Sequence, residues 1–217
     1  MTDKVQVGGY SLGEEIANAV AHGLGTAAAI VGLTLMLVKA IPVLPAADIA
    51  GVAVYGASLV LLFLSSTLYH SFTHLPTKAV LKRLDHCSIY LLIAGSYTPF
   101  LQITLQGSTR AAALLVVLWV VALAGVAFKM FFVHKFKRAS LITYLVMGWA
   151  AVVVIHDLYT ALPAPAFHLL VAGGLSYTLG AAFYAAKRYQ YTHAIWHLFV
   201  LGGAACHCVA IAVYVIP

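Results

Sequence analysis

The chain has 217 residues, of which 63% are hydrophobic and 8% are charged. Since a soluble domain carries about 25% charged residues, this composition excludes a soluble globular protein and predicts one that crosses a membrane several times. The formal net charge is +6, but the basic residues are divided among the links as in membrane proteins and form no nucleic-acid-binding patch.

Seven apolar runs follow one another along the chain. They cover residues 16–38, 47–69, 87–105, 111–128, 141–156, 166–186 and 194–215. Each run is apolar nearly all round, which is typical of membrane helices. Pro99 lies inside the third run and should kink that helix. We therefore expect an all-α, seven-helix membrane bundle, made by a single domain over residues 1–217 with a short polar segment at 1–14.

The twelve lysines and arginines are distributed unevenly between the two sides of this bundle. With a cytoplasmic N-terminus, ten lie inside and only Lys39 and Arg110 lie outside. The inside set is Lys4, Lys78, Lys82, Arg83, Lys129, Lys135, Lys137, Arg138, Lys187 and Arg188. Cytoplasmic links of membrane proteins are enriched in basic residues. The sequence thus predicts a cytoplasmic N-terminus and an external C-terminus.

Polar residues within or beside the runs gather at the predicted cytoplasmic end. They come from the first helix (Glu15, Asn18, His22), the second (Ser66, His70), the third (Asp85, His86) and the seventh (His193, His197). Ionisable groups are costly inside a membrane, usually face the bundle interior and mark function. We expect these four helices to bring their polar side chains to one site.

His193 and His197, in the segment THAIWH, are four residues apart and share one face of a helix. Two such imidazoles can bind one metal ion, and His70 at the same depth would complete the three-ligand set typical of catalytic zinc. Interfacial histidines can also simply face the headgroups or bond a backbone carbonyl. The common depth of His70 and Asp85 favours the metal site.

Two further residues are predicted to assist this metal. Asp85 is the carboxylate best placed to orient or deprotonate a water in the fourth coordination position. Ser66 lies four residues before His70 and can hydrogen-bond the imidazole or that water. We assign Asp85 and Ser66 as the candidate catalytic residues.

Glu15, Asn18 and His22 are spaced by three and four residues, so they share one helix face. Glu14, one residue earlier, is explained by capping of the first helix turn. Capping does not explain Asn18 and His22, which lie deeper. Two interpretations remain open for this supporting cluster: a polar lock between helices, and direct participation in the chemistry.

Other histidines are weaker candidates. His207 lies about 15 Å beyond His197 by helical rise, which is too far to share the metal. His156 and Asp157 lie toward the predicted outer side, where the sequence does not define their role.

These motifs carry a family resemblance when they are read in order. ExxNxxxH is matched by Glu15, Asn18 and His22, SxxxH by Ser66 and His70, and HxxxH by His193 and His197, while LDHCSIYLLIAGSYTPF supplies Asp85. From about Tyr10 to its end, the chain resembles a bacterial hemolysin III-type member of the progestin and adipoQ receptor family.

The resemblance implies a zinc ion near the cytoplasmic face of a multi-pass protein of the bacterial inner membrane. By matching position the ligands are His70, His193 and His197, with Asp85 acting through water. It also implies hydrolase-like chemistry on an acyl lipid in membrane lipid homeostasis, with a membrane lipid as substrate or ligand and no nucleic acid. Two alternatives stay open: a non-enzymatic sensor of the membrane state with structural zinc, and a lytic protein.

Overall fold

The computed structural model describes residues 6–7, 9–133, 135–186 and 189–217. Three basic residues used to predict the topology, Lys4, Lys187 and Arg188, lie outside this set. The described chain is almost entirely helical. Its helices are α1 (Leu12–Ala40), α2 (Ala46–Ser71), α3 (Leu75–Pro99), α4 (Thr109–Phe132), α5 (Lys137–Gly148), α6 (Ile155–Ala161), α7 (Ala164–Ala185) and α8 (Thr192–Ala210).

A small antiparallel hairpin precedes α1. Its strands β1 (Gln6–Val7) and β2 (Tyr10–Ser11) pair Gln6 with Ser11 and Val7 with Tyr10. Ser11 then caps α1, because its hydroxyl accepts a bond from the Glu14 backbone N–H while the Glu14 carboxylate bonds the Ser11 backbone. This reciprocal arrangement satisfies two N–H groups at the helix start, as predicted for Glu14.

Six segments of the described chain are long and apolar enough to cross a membrane. They are Leu12–Ala40, Ala46–Ser71, Thr109–Phe132, Arg138–Ala161, Ala164–Ala185 and Thr192–Val215. Each of them overlaps one of the predicted runs. The structure thus supports a multi-pass, all-helical membrane protein.

The third predicted helix differs from its apolar run. α3 begins at Leu75, twelve residues before the predicted start at residue 87. Its first turns carry Lys78, Lys82 and Arg83, so this part of the helix is not an apolar run in the sequence. Those charges also keep α3 out of the set of apolar spans. α3 packs against α2, α4 and α5, so neighbouring helices cover much of its surface.

Two departures from regular α-helix shape the bundle. A π-helical turn, Phe100–Thr104, follows Pro99 and accommodates the proline predicted to disturb this helix. The fifth predicted run is interrupted by a 3-10 segment, Ala150–Val154, between α5 and α6. There the Tyr97 hydroxyl donates to the Gly148 carbonyl at 2.7 Å and accepts from the Ala151 N–H at 2.9 Å, which satisfies backbone groups that the break releases.

The helices form a closed bundle. Consecutive pairs pack from α1 to α4 and from α7 to α8, α5 contacts α3 and α7, and α8 returns to α1. Gly25 allows α1 to approach its neighbours, since a Cβ there would lie 2.7 Å from Leu201 and 2.9 Å from Phe63. The closure brings the starts of α1 and α8 beside the end of α2.

Candidate metal centre

Three histidines from two helices meet inside the bundle. The His70 ring, near the end of α2, lies 5.2 Å from the rings of both His193 and His197 at the start of α8, measured between centroids. The His193 and His197 rings are 4.6 Å apart. One ring nitrogen from each residue lies within 4.8 Å of the other two. The group can therefore hold a metal ion.

The unused nitrogens of these rings fit a zinc ion. His70 Nε2, His193 Nε2 and His197 Nδ1 are buried and have no hydrogen-bond partner within the described ranges. An unpaired polar group is costly in a buried site, whereas three neutral imidazoles form a ligand set that zinc commonly uses. A bound ion would satisfy all three nitrogens.

The orientation of His70 is set by α1. Its Nδ1 donates to Glu15 Oε2 at 2.6 Å, and the Asn18 Nδ2 atom lies 3.4 Å from the same nitrogen. A neutral imidazole whose Nδ1–H donates a hydrogen bond to a carboxylate has its free electron pair on Nε2, where it can bind a metal. Glu15 and Asn18 thus link α1 to α2 and orient a candidate ligand, as the interpretation of a polar lock expects; direct participation in the chemistry stays a prediction.

Lys78 belongs to this site, although the sequence predicted for it only a place among the basic residues on the cytoplasmic side. Its Nζ lies 3.0 Å from Glu15 Oε1 and donates to the Tyr69 carbonyl at 2.8 Å. The side chains of Lys78 and Glu15 are 4% and 5% exposed. Since nothing in the local sequence separates this lysine from Lys82, only the packing of α3 against α2 reveals it.

Tyr10, at the end of the hairpin, is a second residue that the sequence did not single out. Its hydroxyl lies 3.2 Å from His193 Nδ1. Burial raises the pKa of this phenol, so Tyr10 stays neutral. With a metal on Nε2, the His193 Nδ1–H would donate to the Tyr10 oxygen.

His22 lies against the cluster without belonging to the ligand group. Its ring stacks on that of His197, with centroids 3.6 Å apart and planes 11° apart. Both of its nitrogens are buried and lack a partner in the part of the chain that the structure describes. The stacking therefore fixes one face of the His197 ring. Both ring nitrogens of His22 remain available for hydrogen bonds.

The two candidate catalytic residues lie differently. Asp85 is 6% exposed, and its Oδ2 lies 3.3 Å from His86 Nδ1. Ser66 is 1% exposed, and its hydroxyl makes no hydrogen bond to any described residue, including His70. Of the two partners predicted for Ser66, the His70 imidazole is thus not bonded, and the hydrogen bond to a metal-bound water stays a prediction.

A cavity of about 180 Å³ opens beside this cluster. It runs between α3, α5, α6, α7 and α8, and its walls are mostly apolar; they include Leu62, Ile89, Leu145, Val171 and Val200. His22 and Asp85 line one end, and His207 also lines the cavity. The cavity thus combines mostly apolar walls with a few polar side chains.

The remaining candidates lie elsewhere. Asp157 pairs with exposed Arg110 through contacts of 3.1 and 3.3 Å, which is a structural link between α6 and α4. His156 also lies on α6 and is not part of the group of three histidines that could hold a metal ion.

Known proteins match this chain over most of its length. Residues 10–208 match the model of a family described as haemolysin-III related. The chain is 44% identical over 217 residues to Hemolysin-3 of Bacillus cereus, covering 100% of this chain and 99% of that protein. It is 46% identical over 196 residues to the Hemolysin-3 homolog of Bacillus subtilis (strain 168), covering 90% and 92%. It is 32% identical over 169 residues to the human Monocyte to macrophage differentiation factor, covering 74% and 68%.

Proposed function

Because the chain belongs to the haemolysin III-related family, we propose that it is a zinc-binding protein of the bacterial inner membrane with hydrolase-like activity on an acyl lipid. This activity would serve membrane lipid homeostasis. The observation that carries the proposal is the group of buried His70, half-buried His193 and buried His197, in which one ring nitrogen from each residue lies within 4.8 Å of the other two. The adjoining apolar cavity supports a lipid as substrate.

The three histidines would hold the metal, while Glu15 and Asn18 orient the His70 ring and Tyr10 contacts the His193 ring. When bound, zinc supplies a Lewis acid for the lipid carbonyl and for the activation of water. The Asp85 carboxylate takes the proton of the attacking water and returns it to the leaving group. Asp85 lines the cavity, so the substrate carbonyl can reach it there.

The cavity supports the choice of an acyl lipid over a small polar substrate. Ligand sites are typically lined by apolar side chains with a few polar groups that fix orientation. Here those polar groups include His22 and Asp85 at the metal end. An acyl chain would occupy the apolar length, with its ester or amide carbonyl beside Asp85.

The test combines metal analysis with a search for products. Purified protein should contain about one zinc ion per chain, and incubation with a bacterial lipid extract should release a fatty acid detectable by mass spectrometry. The Asp85→Asn protein serves as the control for contaminating hydrolases. Zinc without any product over many hours would favour the alternative, a sensor of the membrane state in which zinc is structural.

A further inference from the structure

The nitrogens that are free to bind a metal are closed off from solvent. His70 Nε2, His193 Nε2 and His197 Nδ1 are all buried. The apolar cavity is lined by none of these three histidines, and a second cavity, between the start of α1 and the end of α2, is lined by His70 alone of the three. A metal ion therefore reaches or leaves the site only when some part of the protein moves.

Tyr10 contacts ligands from both helices that supply them. Its ring centroid lies 5.8 Å from that of His70 on α2 and 4.8 Å from that of His193 on α8, and its hydroxyl lies 3.2 Å from His193 Nδ1. Among the described residues, the other aromatic rings around the ligand group contact ligands of one helix only. Tyr10 thus bridges the two helices at the metal centre.

The segment that carries Tyr10 is easier to move than the helices around it. Tyr10 lies in the second strand of a hairpin whose two strands have two residues each, whereas the ligands stand on long helices of the bundle. A two-stranded hairpin is marginally stable by itself, and segments with few packing contacts open locally at far lower cost than the core of a protein. Displacement of the hairpin therefore costs less than displacement of α2 or α8.

Glu14 connects this hairpin to the start of α8. Its Oε2 accepts hydrogen bonds from the backbone N–H and the hydroxyl of Ser11 at 2.9 and 2.8 Å, and its Oε1 accepts one from the Tyr191 N–H at 3.0 Å. The first turn of α1 also lies close to Tyr191, since a Cβ on Gly13 would be 2.8 Å from the Tyr191 hydroxyl. These contacts hold Tyr10 beside the ligands without involving a ligand nitrogen.

We propose that the N-terminal hairpin covers the metal centre, and that the ion enters and leaves the site when Tyr10 moves away from His70 and His193. This inference rests on the proposed metal centre, since it concerns the path of the ion. It gives the hairpin a function of its own, which is to set the rate of metal exchange, and it makes Glu14 the residue that keeps the hairpin closed.

A covering residue and a residue that only positions a ligand differ in their effect on the two rates of exchange. A cover that closes equally well over the empty and the filled site slows uptake and release by the same factor, and it leaves the equilibrium affinity unchanged. A contact that only positions a ligand stabilises the bound state, so its loss accelerates release and leaves uptake nearly unchanged.

The experiment measures zinc release and zinc uptake separately on the purified full-length protein in detergent. Release is followed after a water-soluble colorimetric chelator is added in excess to the zinc-loaded protein. Uptake is followed after zinc is added to the metal-free protein. Tyr10→Phe keeps the ring but lacks the hydroxyl that contacts His193, so it is the reference. Relative to it, Tyr10→Ala should accelerate both processes by about tenfold, as expected for the loss of roughly one aromatic contact from the closed state.

A second variant tests the hairpin without changing Tyr10. Glu14→Ala removes the bonds to Ser11 and Tyr191 and should also accelerate uptake and release together. Ser108→Ala is the matched control, because it removes a comparable side-chain cap from the start of α4. It should exchange zinc at the wild-type rates. Glu14→Ala keeps the inference testable even when Tyr10→Ala does not fold.

Several results would overturn the inference. They are equal uptake rates in Tyr10→Phe and Tyr10→Ala, faster release with unchanged uptake in Glu14→Ala, or an acceleration in Ser108→Ala as large as that in Glu14→Ala. If the wild-type protein binds zinc and the variants exchange it at the wild-type rates, the metal centre stands and the function of the hairpin fails. If the wild-type protein binds no zinc, both fail.

Discussion

Glu15 and His70 are joined by a hydrogen bond of 2.6 Å between the carboxylate Oε2 and the imidazole Nδ1, although 55 residues separate them in the chain. The bond connects the start of α1 to the end of α2 and leaves the other nitrogen of His70 free for a metal. A carboxylate behind a metal-binding histidine fixes the ring orientation and raises its basicity. α1 therefore contributes to the candidate metal centre without supplying a ligand.

Replacing Glu15 by glutamine should weaken metal binding without removing a ligand. Glutamine keeps the size of the side chain but not its charge, and loss of such a partner typically lowers metal affinity by about 10- to 100-fold. Competition with a zinc chelator would measure the change. Asp157→Asn, which alters a carboxylate paired with exposed Arg110, is the matched control. Unchanged zinc affinity in Glu15→Gln would show that Glu15 does not tune His70.

Replacing Lys78 by methionine should destabilise the protein by about 3–5 kcal/mol, because removal of one partner leaves the other charge buried and uncompensated. Thermal unfolding in detergent would show this loss. The double variant Lys78→Met with Glu15→Gln should regain much of it, since both charges are then absent. Lys135→Met, at an exposed position, should have little effect. A Lys78→Met protein as stable as wild type would contradict the ion pair.

Removal of any one ligand should eliminate most of the bound zinc. His70→Ala, His193→Ala and His197→Ala each leave two imidazoles, which bind zinc far more weakly than three. Metal content after gel filtration is the measurement. His74→Ala, which changes an exposed histidine, should retain the metal. Full zinc in all three ligand variants would refute the assignment.

Asp85→Asn should fold and keep zinc but lose lipid hydrolysis. Asparagine preserves the shape of the side chain and can still hydrogen-bond water, yet it cannot take the proton. A positioned general base contributes about 10²- to 10⁴-fold to the rate. Zinc content, thermal stability and product formation should be measured on the same preparation. Full activity in a zinc-loaded Asp85→Asn protein would remove the general base and leave the sensor as the better account.

The basic residues predict a cytoplasmic N-terminus and an external C-terminus. Ten of the twelve lysines and arginines lie on the predicted inner side, and this bias sets the orientation of membrane proteins. A C-terminal alkaline phosphatase fusion should be active, and a C-terminal fluorescent protein that folds only in the cytoplasm should be dark. The opposite pattern would reverse the topology and place the candidate metal centre at the outer face.

Much of the fold could be predicted because membrane helices are local features. An apolar run long enough for the bilayer forms a helix whatever its neighbours are, and six apolar spans were predicted close to their positions in the structure. The start of α3 and the break after Gly148 could not be predicted in this way. Charged residues at the start of α3 conceal a helix, and the break is stabilised by Tyr97 from another helix.

The sequence by itself determined the class of protein and the shared helix face of two of the three histidines in the candidate metal-binding group. His193 and His197 lie four residues apart, so helical geometry alone places them on one face. Only the tertiary structure decided that Glu15 bonds His70, that Lys78 neutralises Glu15, and that Tyr10 reaches His193. These contacts join residues on different elements, and their energies depend on distance and burial. Distance and burial are set by how the helices pack, so they cannot be predicted from the spacing of residues within one helix.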